Sequence, residues 1–145
     1  MKKIFTKICI ASDHAGYGLK EKIKDYLINK SISVIDLGPF SEVSVDYPDY
    51  AKKVAKRLIL RKSDAGVLVC GSGTGMSITA NKFKGIRAAQ CYSKYSTILS
   101  RQHNDSNIIC LGSRMLKYKD ALKYVTYFLN TKFESGRHQK RINKI

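Results

Sequence analysis

Nowhere in this chain of 145 residues do apolar side chains run on long enough to cross a bilayer, which as a helix takes about eighteen or more in a row. The opening residues 1–7 also lack the apolar stretch and small-residue cleavage site of a secretory leader. A soluble, cytoplasmic protein without membrane partners is expected. Cysteine is sparse and scattered. Cys9, Cys70, Cys91 and Cys110 show neither CxxC nor Cys/His ligand spacing, which argues against disulfides and against a metal site. Cys9, Cys91 and Cys110 read as small buried hydrophobes. Acidic residues are few, 11 against 27 Lys and Arg, for a net charge of +16. Such an excess could serve a polyanion. However, no recognition helix, zinc finger or aromatic stacking motif accompanies it, and the lysines (Lys20, Lys22, Lys24, Lys30, Lys52, Lys53, Lys56) are spread over helix faces as solvated surface would be. A basic nucleic-acid-binding module is kept as the second reading, with no specific nucleic-acid partner expected.

What is present is an alternation of β-branched apolar runs with amphipathic stretches, the pattern of βαβ units on a parallel sheet. Strands are expected at 7–11, 33–37, 65–70, 86–91 and 107–112. Helices are expected at 17–29, 50–60, from 76, at 95–102 and at 118–129. Asp46 is a potential cap ahead of Pro48 in a first helical turn. The run 65–70 is apolar enough for the centre of a sheet, whereas the tail 135–145 is too polar for a core. The length suits one domain, 1–145. A five-stranded, doubly wound α/β fold is therefore expected.

In such sheets ligands lie beyond the carboxyl ends of the strands. Those positions carry Ser12-Asp13-His14-Ala15-Gly16, Cys70-Gly71-Ser72-Gly73-Thr74-Gly75 and Gly112-Ser113-Arg114. Three alternate glycines after a buried strand let backbone amides turn toward an anion. The loop is neither a dinucleotide fingerprint, since Met76 stands where Gly or Ala is required, nor a phosphate loop, since the Lys-Ser/Thr pair is missing. Close packing alone would be the other use of such a turn. Cys70 ends the strand where amides can stabilise a thiolate or an oxyanion, although a cysteine ending an apolar strand is, taken alone, as readily core. His14, His103 and His138, the three histidines, each lie among polar residues, which favours use over burial. His103 can move protons near neutral pH. Arg137 and Arg141, four residues apart, fall on one helical face suited to a phosphate, and equally to a solvated tail.

These segments, with Asp46-Tyr47-Pro48, Ala80-Asn81-Lys82-Phe83, Gly85-Ile86-Arg87-Ala88, Ser100-Arg101-Gln102-His103-Asn104-Asp105 and Gly136-Arg137-His138-Gln139, occur in an order that resembles the B-type ribose 5-phosphate isomerases. That family also includes galactose 6-phosphate and allose 6-phosphate isomerases. The resemblance spans nearly the whole chain. It implies a Rossmann-like three-layer α/β/α sandwich, interconversion of ribose 5-phosphate and ribulose 5-phosphate as in the pentose phosphate pathway, and no metal or organic cofactor. It also implies a homodimer, often paired into tetramers, with its active site shared between chains. By the same resemblance Cys70 takes a proton from the sugar carbon and His103 donates one in ring opening. Asp13, His14, the loop Gly71, Ser72, Gly73, Thr74 and Gly75, Asn104, Arg114, Arg137 and Arg141 match substrate-binding positions, and Asp46 one suggested to assist ring opening. Ser72 stands where many members have Thr, and Thr74 where an aliphatic residue is usual. Both bear on the choice of sugar more than on the reaction.

Overall fold

Among residues 4–145, the part of the chain that the computed structural model describes, five strands alternate with six helices. In chain order these are β1 (Lys7–Ser12), α1 (Tyr17–Asn29), β2 (Ser33–Asp36), α2 (Tyr47–Ile59), β3 (Ala65–Cys70), α3 (Thr74–Ala80), β4 (Ala88–Gln90), α4 (Lys94–Asn104), β5 (Ile108–Gly112), α5 (Tyr118–Asn130) and α6 (Arg137–Ile142). Every strand pairing is parallel, in the order β2-β1-β3-β5-β4.

The period of two along each strand divides the core into two halves. Ile8, Ile10, Val67, Val69, Ile109 and Leu111 face α1 and α5, where Ile23, Leu27, Val125 and Phe128 complete a buried cluster. Cys9, Ala11, Leu68, Cys70, Ile108 and Cys110 face the opposite way, onto Val54, Ala55, Met76 and Ala80 of α2 and α3. All six residues of β3 are buried, because helices cover both faces of the central strand. Removing a ring such as Phe128, which is fully buried, would cost about 3–5 kcal/mol.

Several expectations need correction. The fourth strand is only Ala88–Gln90, although Arg87 and Cys91 on either side of it still bond to Asn107 and Cys110. α2 begins at Tyr47 with Pro48 in its first turn, as the Asp46-Tyr47-Pro48 segment suggested, whereas α3 begins at Thr74, earlier than the expected Met76, because its exposed first residue leaves no periodic signal. Asp46 occupies the N-cap position of α2 without a capping hydrogen bond from its side chain. The polar tail is not wholly surface, for it folds as α6 and buries His138. Lys20 is not solvated either. It is fully buried, with Nζ 2.8 Å from Asp36 Oδ1 and 2.7 Å from the Pro39 carbonyl oxygen. Burial pushes the Asp36 carboxyl up, but hydrogen bonds from Lys20, the Gly38 amide and Lys24 outweigh it and leave it below the usual carboxylate range. This ion pair ties α1 to the chain that leaves β2.

Candidate active site

The chain moves outward from β1 to β2 and then returns to β3 on the other side of β1. Connections therefore diverge between the carboxyl ends of β1 and β3, leaving the crevice at which open α/β sheets bind ligands. An open cleft of about 420 Å³ lies there, and Asp13, Tyr47, Cys70, Gly71, Ser72 and Arg114 are among its walls.

Each wall residue is held by local structure. Asp13 continues the sheet, its N–H donating to the Val69 carbonyl at 3.1 Å. Its Oδ1 accepts from the Gly16 N–H at 2.9 Å, which closes the turn into α1. The Ser113 and Arg114 amides donate to the Cys70 and Gly71 carbonyls at 2.8 and 3.0 Å, so the chain leaving β5 is stapled beside the loop that leaves β3. Arg114 lies directly over Gly71, where an added Cβ would stand 3.0 Å from a guanidinium nitrogen. Ser113 Oγ donates to the Ala15 carbonyl at 2.8 Å and joins both loops to the turn after β1.

Cys70 sits at the end of β3 with 4 % of its surface exposed. Gly73 takes φ +82°, a left-handed conformation that costs a glycine little. That turn aims the Gly73 N–H at Cys70 Sγ, 3.1 Å away. The amides of Gly71 and Gly75 have no intramolecular acceptor among the described residues, and both border the cleft. The other cysteines are inert by comparison. Burial pushes the Cys9 thiol up to about 11, although Ser63 and Arg57 oppose it, and raises Cys91 and Cys110 as well. The expectation that these three serve packing agrees with their full burial.

His14 accepts the Val45 N–H on Nδ1 at 3.2 Å, so its neutral form carries the proton on Nε2. Asp46, next to Val45, is exposed. Ser72 and Thr74 are exposed as well, with Ser72 Oγ accepting the Thr74 N–H at 3.2 Å.

The remaining residues singled out in the sequence gather elsewhere. α4 runs antiparallel to the strands, from the carboxyl rim after β4 to the amino rim before β5. Its last residues, His103 and Asn104, thus lie at the far end of the sheet from Cys70. α5 runs the same way and delivers α6, with Arg137 and Arg141, to that end. There the His103 and His138 rings stack, 4.2 Å between centroids and 12° between planes. Glu134 Oε2 lies 3.6 Å from His138 Nε2. Burial first, then the positive fields of His103 and Arg137, hold His138 below the usual imidazole range. Donor atoms of His103, Glu134 and His138 lie within 4.8 Å of one another. The rings, however, are face to face, and lone pairs in nearly parallel planes do not converge on one ion. Tyr47 and Gln90 carry site contacts that sequence reasoning missed. Tyr47 lay inside a quoted motif, and Gln90 offered no local signal because its partners are distant in sequence.

A thiol, a carboxylate, a guanidinium and free amides at the switch point of a parallel α/β sheet make an enzyme site for a small, anionic, oxygen-rich substrate. Residues 8–145 match the Ribose/Galactose Isomerase family. Ribose-5-phosphate isomerase B of Escherichia coli is 45 % identical over 139 residues, covering 96 % of this chain and 93 % of the relative. A ribose 5-phosphate isomerase structure from Thermotoga maritima superposes with a TM-score of 0.95 at 51 % identity, covering 96 % of both chains. Ribose-5-phosphate isomerase B of Mycoplasma genitalium, solved with bound ribulose-5-phosphate, superposes with a TM-score of 0.90 at 44 % identity over 95 % of this chain and 92 % of that one. The chain belongs to the ribose/galactose isomerase family and has the fold of its B-type ribose-5-phosphate isomerases.

Proposed function

We propose that the chain is an aldose-ketose isomerase that interconverts ribose 5-phosphate and ribulose 5-phosphate, with Cys70 as the base. The observation that carries this reading is the Cys70 thiol at the cleft floor, receiving the Gly73 N–H at 3.1 Å beside free loop amides. Amide donation of this kind suits a thiolate. The thiolate removes the proton from C2 of the open aldose, leaving an enediolate, and the thiol returns the proton to C1. A proton also passes from the C2 hydroxyl to the C1 oxygen, and no external oxidant or reductant is needed, since C1 gains the two electrons that C2 loses. Amides of the 71–75 loop stabilise the oxygen on which charge develops, and Asp13 and His14 orient the sugar hydroxyls.

Ring opening and phosphate binding require residues of the other rim. His103, as the proton donor, cannot reach Cys70 of its own chain, because α4 carries it to the opposite end of the sheet. We therefore assign the complete site to a pair of chains: Asp13, His14, Asp46, Cys70 and the glycine loop from one copy, His103, Asn104, Arg137 and Arg141 from the other. Arg114 lies beside the loop and completes the cationic lining. Asp46, exposed and without a capping bond, is free to assist ring opening.

The assay is ketose formation from ribose 5-phosphate, allose 6-phosphate and galactose 6-phosphate by purified protein without added metal. Ribose 5-phosphate is expected to turn over fastest. Preference for either hexose phosphate would reassign the substrate within the family, and no turnover of any sugar would overturn the reading.

A further inference from the structure

Gln90 is the last residue of β4 and has no place in the chemistry above. Its Nε2 donates to the Ser72 carbonyl oxygen at 3.0 Å and to Thr74 Oγ1 at 2.7 Å. A carbonyl oxygen can only accept, so the carboxamide is oriented with its nitrogen toward the loop, and both amide hydrogens are in use. The Ser72 carbonyl belongs to the same peptide plane as the Gly73 N–H, and that N–H donates to Cys70 Sγ. The two groups point in opposite directions across a trans peptide. Holding the carbonyl on Gln90 therefore holds the N–H on the sulfur.

The plane would otherwise turn easily. A peptide flip changes ψ of the residue before it and φ of the residue after it, and the residue after is Gly73, for which either sign of φ is accessible. A flip would replace the donor at Cys70 Sγ by a carbonyl oxygen, which repels a thiolate. The other loop bonds do not prevent it. Arg114 holds the Gly71 carbonyl and Ser113 the Cys70 carbonyl, both upstream of the plane, while Ser72 Oγ holds only the Thr74 N–H, downstream. We propose that Gln90, with Thr74 as its second acceptor, is a positioning residue that locks the Ser72–Gly73 peptide with its N–H on the catalytic sulfur. The inference deepens the isomerase reading and rests on it for the role of Cys70. It also explains how Thr74 is used where the family commonly carries an aliphatic residue.

The lock is tested with Gln90→Leu, which removes both bonds, and Gln90→Glu, which keeps the shape but sets a carboxylate against a carbonyl. Thr74→Val removes one acceptor. Two quantities are read: the kinetic constants, and the rate of Cys70 alkylation by iodoacetamide as a function of pH. The other titratable or charged groups around Cys70 are Asp13, Tyr47 and Arg114 in the cleft and Cys110 on β5, and none is altered by these substitutions. Gln90→Leu is expected to lower kcat about tenfold with little change in KM, because the lost stabilisation belongs to the reacting thiolate. Its alkylation profile should move to higher pH. Gln90→Glu should lose at least as much, and Thr74→Val less. Should Gln90→Leu fail to fold, the neutral Gln90→Met carries the same outcomes, since the carboxylate of Gln90→Glu would by itself disfavour the thiolate. A folded Gln90 variant with native kcat and a native alkylation profile overturns the lock. Absence of turnover in the unmodified enzyme would instead overturn the isomerase reading, while the alkylation profile would still report on the peptide.

Discussion

At the carboxyl rim of the sheet, Asp13, Cys70, the glycine loop and Arg114 share one cleft and are fixed by hydrogen bonds that reach across β1, β3 and β5. At the amino rim, His103, His138, Arg137 and Arg141 are carried by helix ends and a short terminal helix, held by a ring stack, a weak ion pair and hydrogen bonds from the Glu134 N–H to the Gln102 carbonyl and from Arg101 Nε to the Thr131 carbonyl. In the proposed reaction the carboxyl rim supplies what a carbon acid needs, a base with donors for the developing oxyanion. In the same proposal the amino rim supplies what a closed furanose carrying a phosphate needs, a proton donor and guanidinium groups. In the proposed reaction neither rim acts alone. This chain places the two sets of residues at opposite ends of its sheet, so in that proposal they are joined through a second copy of the chain.

The largest effect that would break this division is at the carboxyl rim. Cys70→Ala is expected to lower kcat by about three orders of magnitude or more, while calorimetry still registers ribose 5-phosphate binding through the arginines. Cys70→Ser should be nearly as poor. A folded Cys70→Ala protein with near-native turnover would move the base to Asp13 or Asp46.

Arg141→Ala tests the other rim. A guanidinium grips phosphate equally in substrate and transition state, so KM should rise about tenfold or more with kcat changed less. Loss of kcat at constant KM would instead place Arg141 at the reacting carbons.

Mixing the two inactive proteins sharpens the comparison. If each site draws Cys70 from one chain and Arg141 from the other, random exchange in a two-fold pair restores about a quarter of native activity. That is the fraction of sites built wholly from native residues. Activity no greater than the sum of the separate variants, once subunit exchange has been demonstrated, would mean that one chain builds the whole site.

The smallest effect is expected at His138. Its folded-state affinity for protons is below that of the unfolded chain, so acidification through the ordinary imidazole range, about pH 6.5, favours the unfolded chain. Stability associated with the neutral ring is present above that range and is lost as pH falls through it. Thermal melts between pH 8 and pH 5 should show the midpoint falling toward pH 5, and less steeply in His138→Phe. Equal slopes would mean that the ring is not held neutral.

Much of the fold was legible because local pattern and tertiary outcome agree. β-branched runs became strands, amphipathic stretches became helices, and the alternate glycines became the turn beside Cys70. Lys20 was misjudged because a lysine on a polar helix face looks solvated until Asp36 and the Pro39 carbonyl close around it, and both belong to the next strand and its loop. The tail was misjudged for a related reason: His138 is buried by His103, which lies 35 positions earlier, a distance that no local periodicity can span.

The sequence by itself determined the parallel α/β class, the order of the strands and helices as far as α5 and, through the resemblance, the candidate site residues, because hydrophobic period and loop chemistry are local properties. Only the tertiary structure decided that Cys70 and His103 stand at opposite rims, that Lys20 is interior, and that Gln90 reaches the loop beside the sulfur. Each of these depends on strand order and on which helix end meets which rim, which the chain settles only by folding.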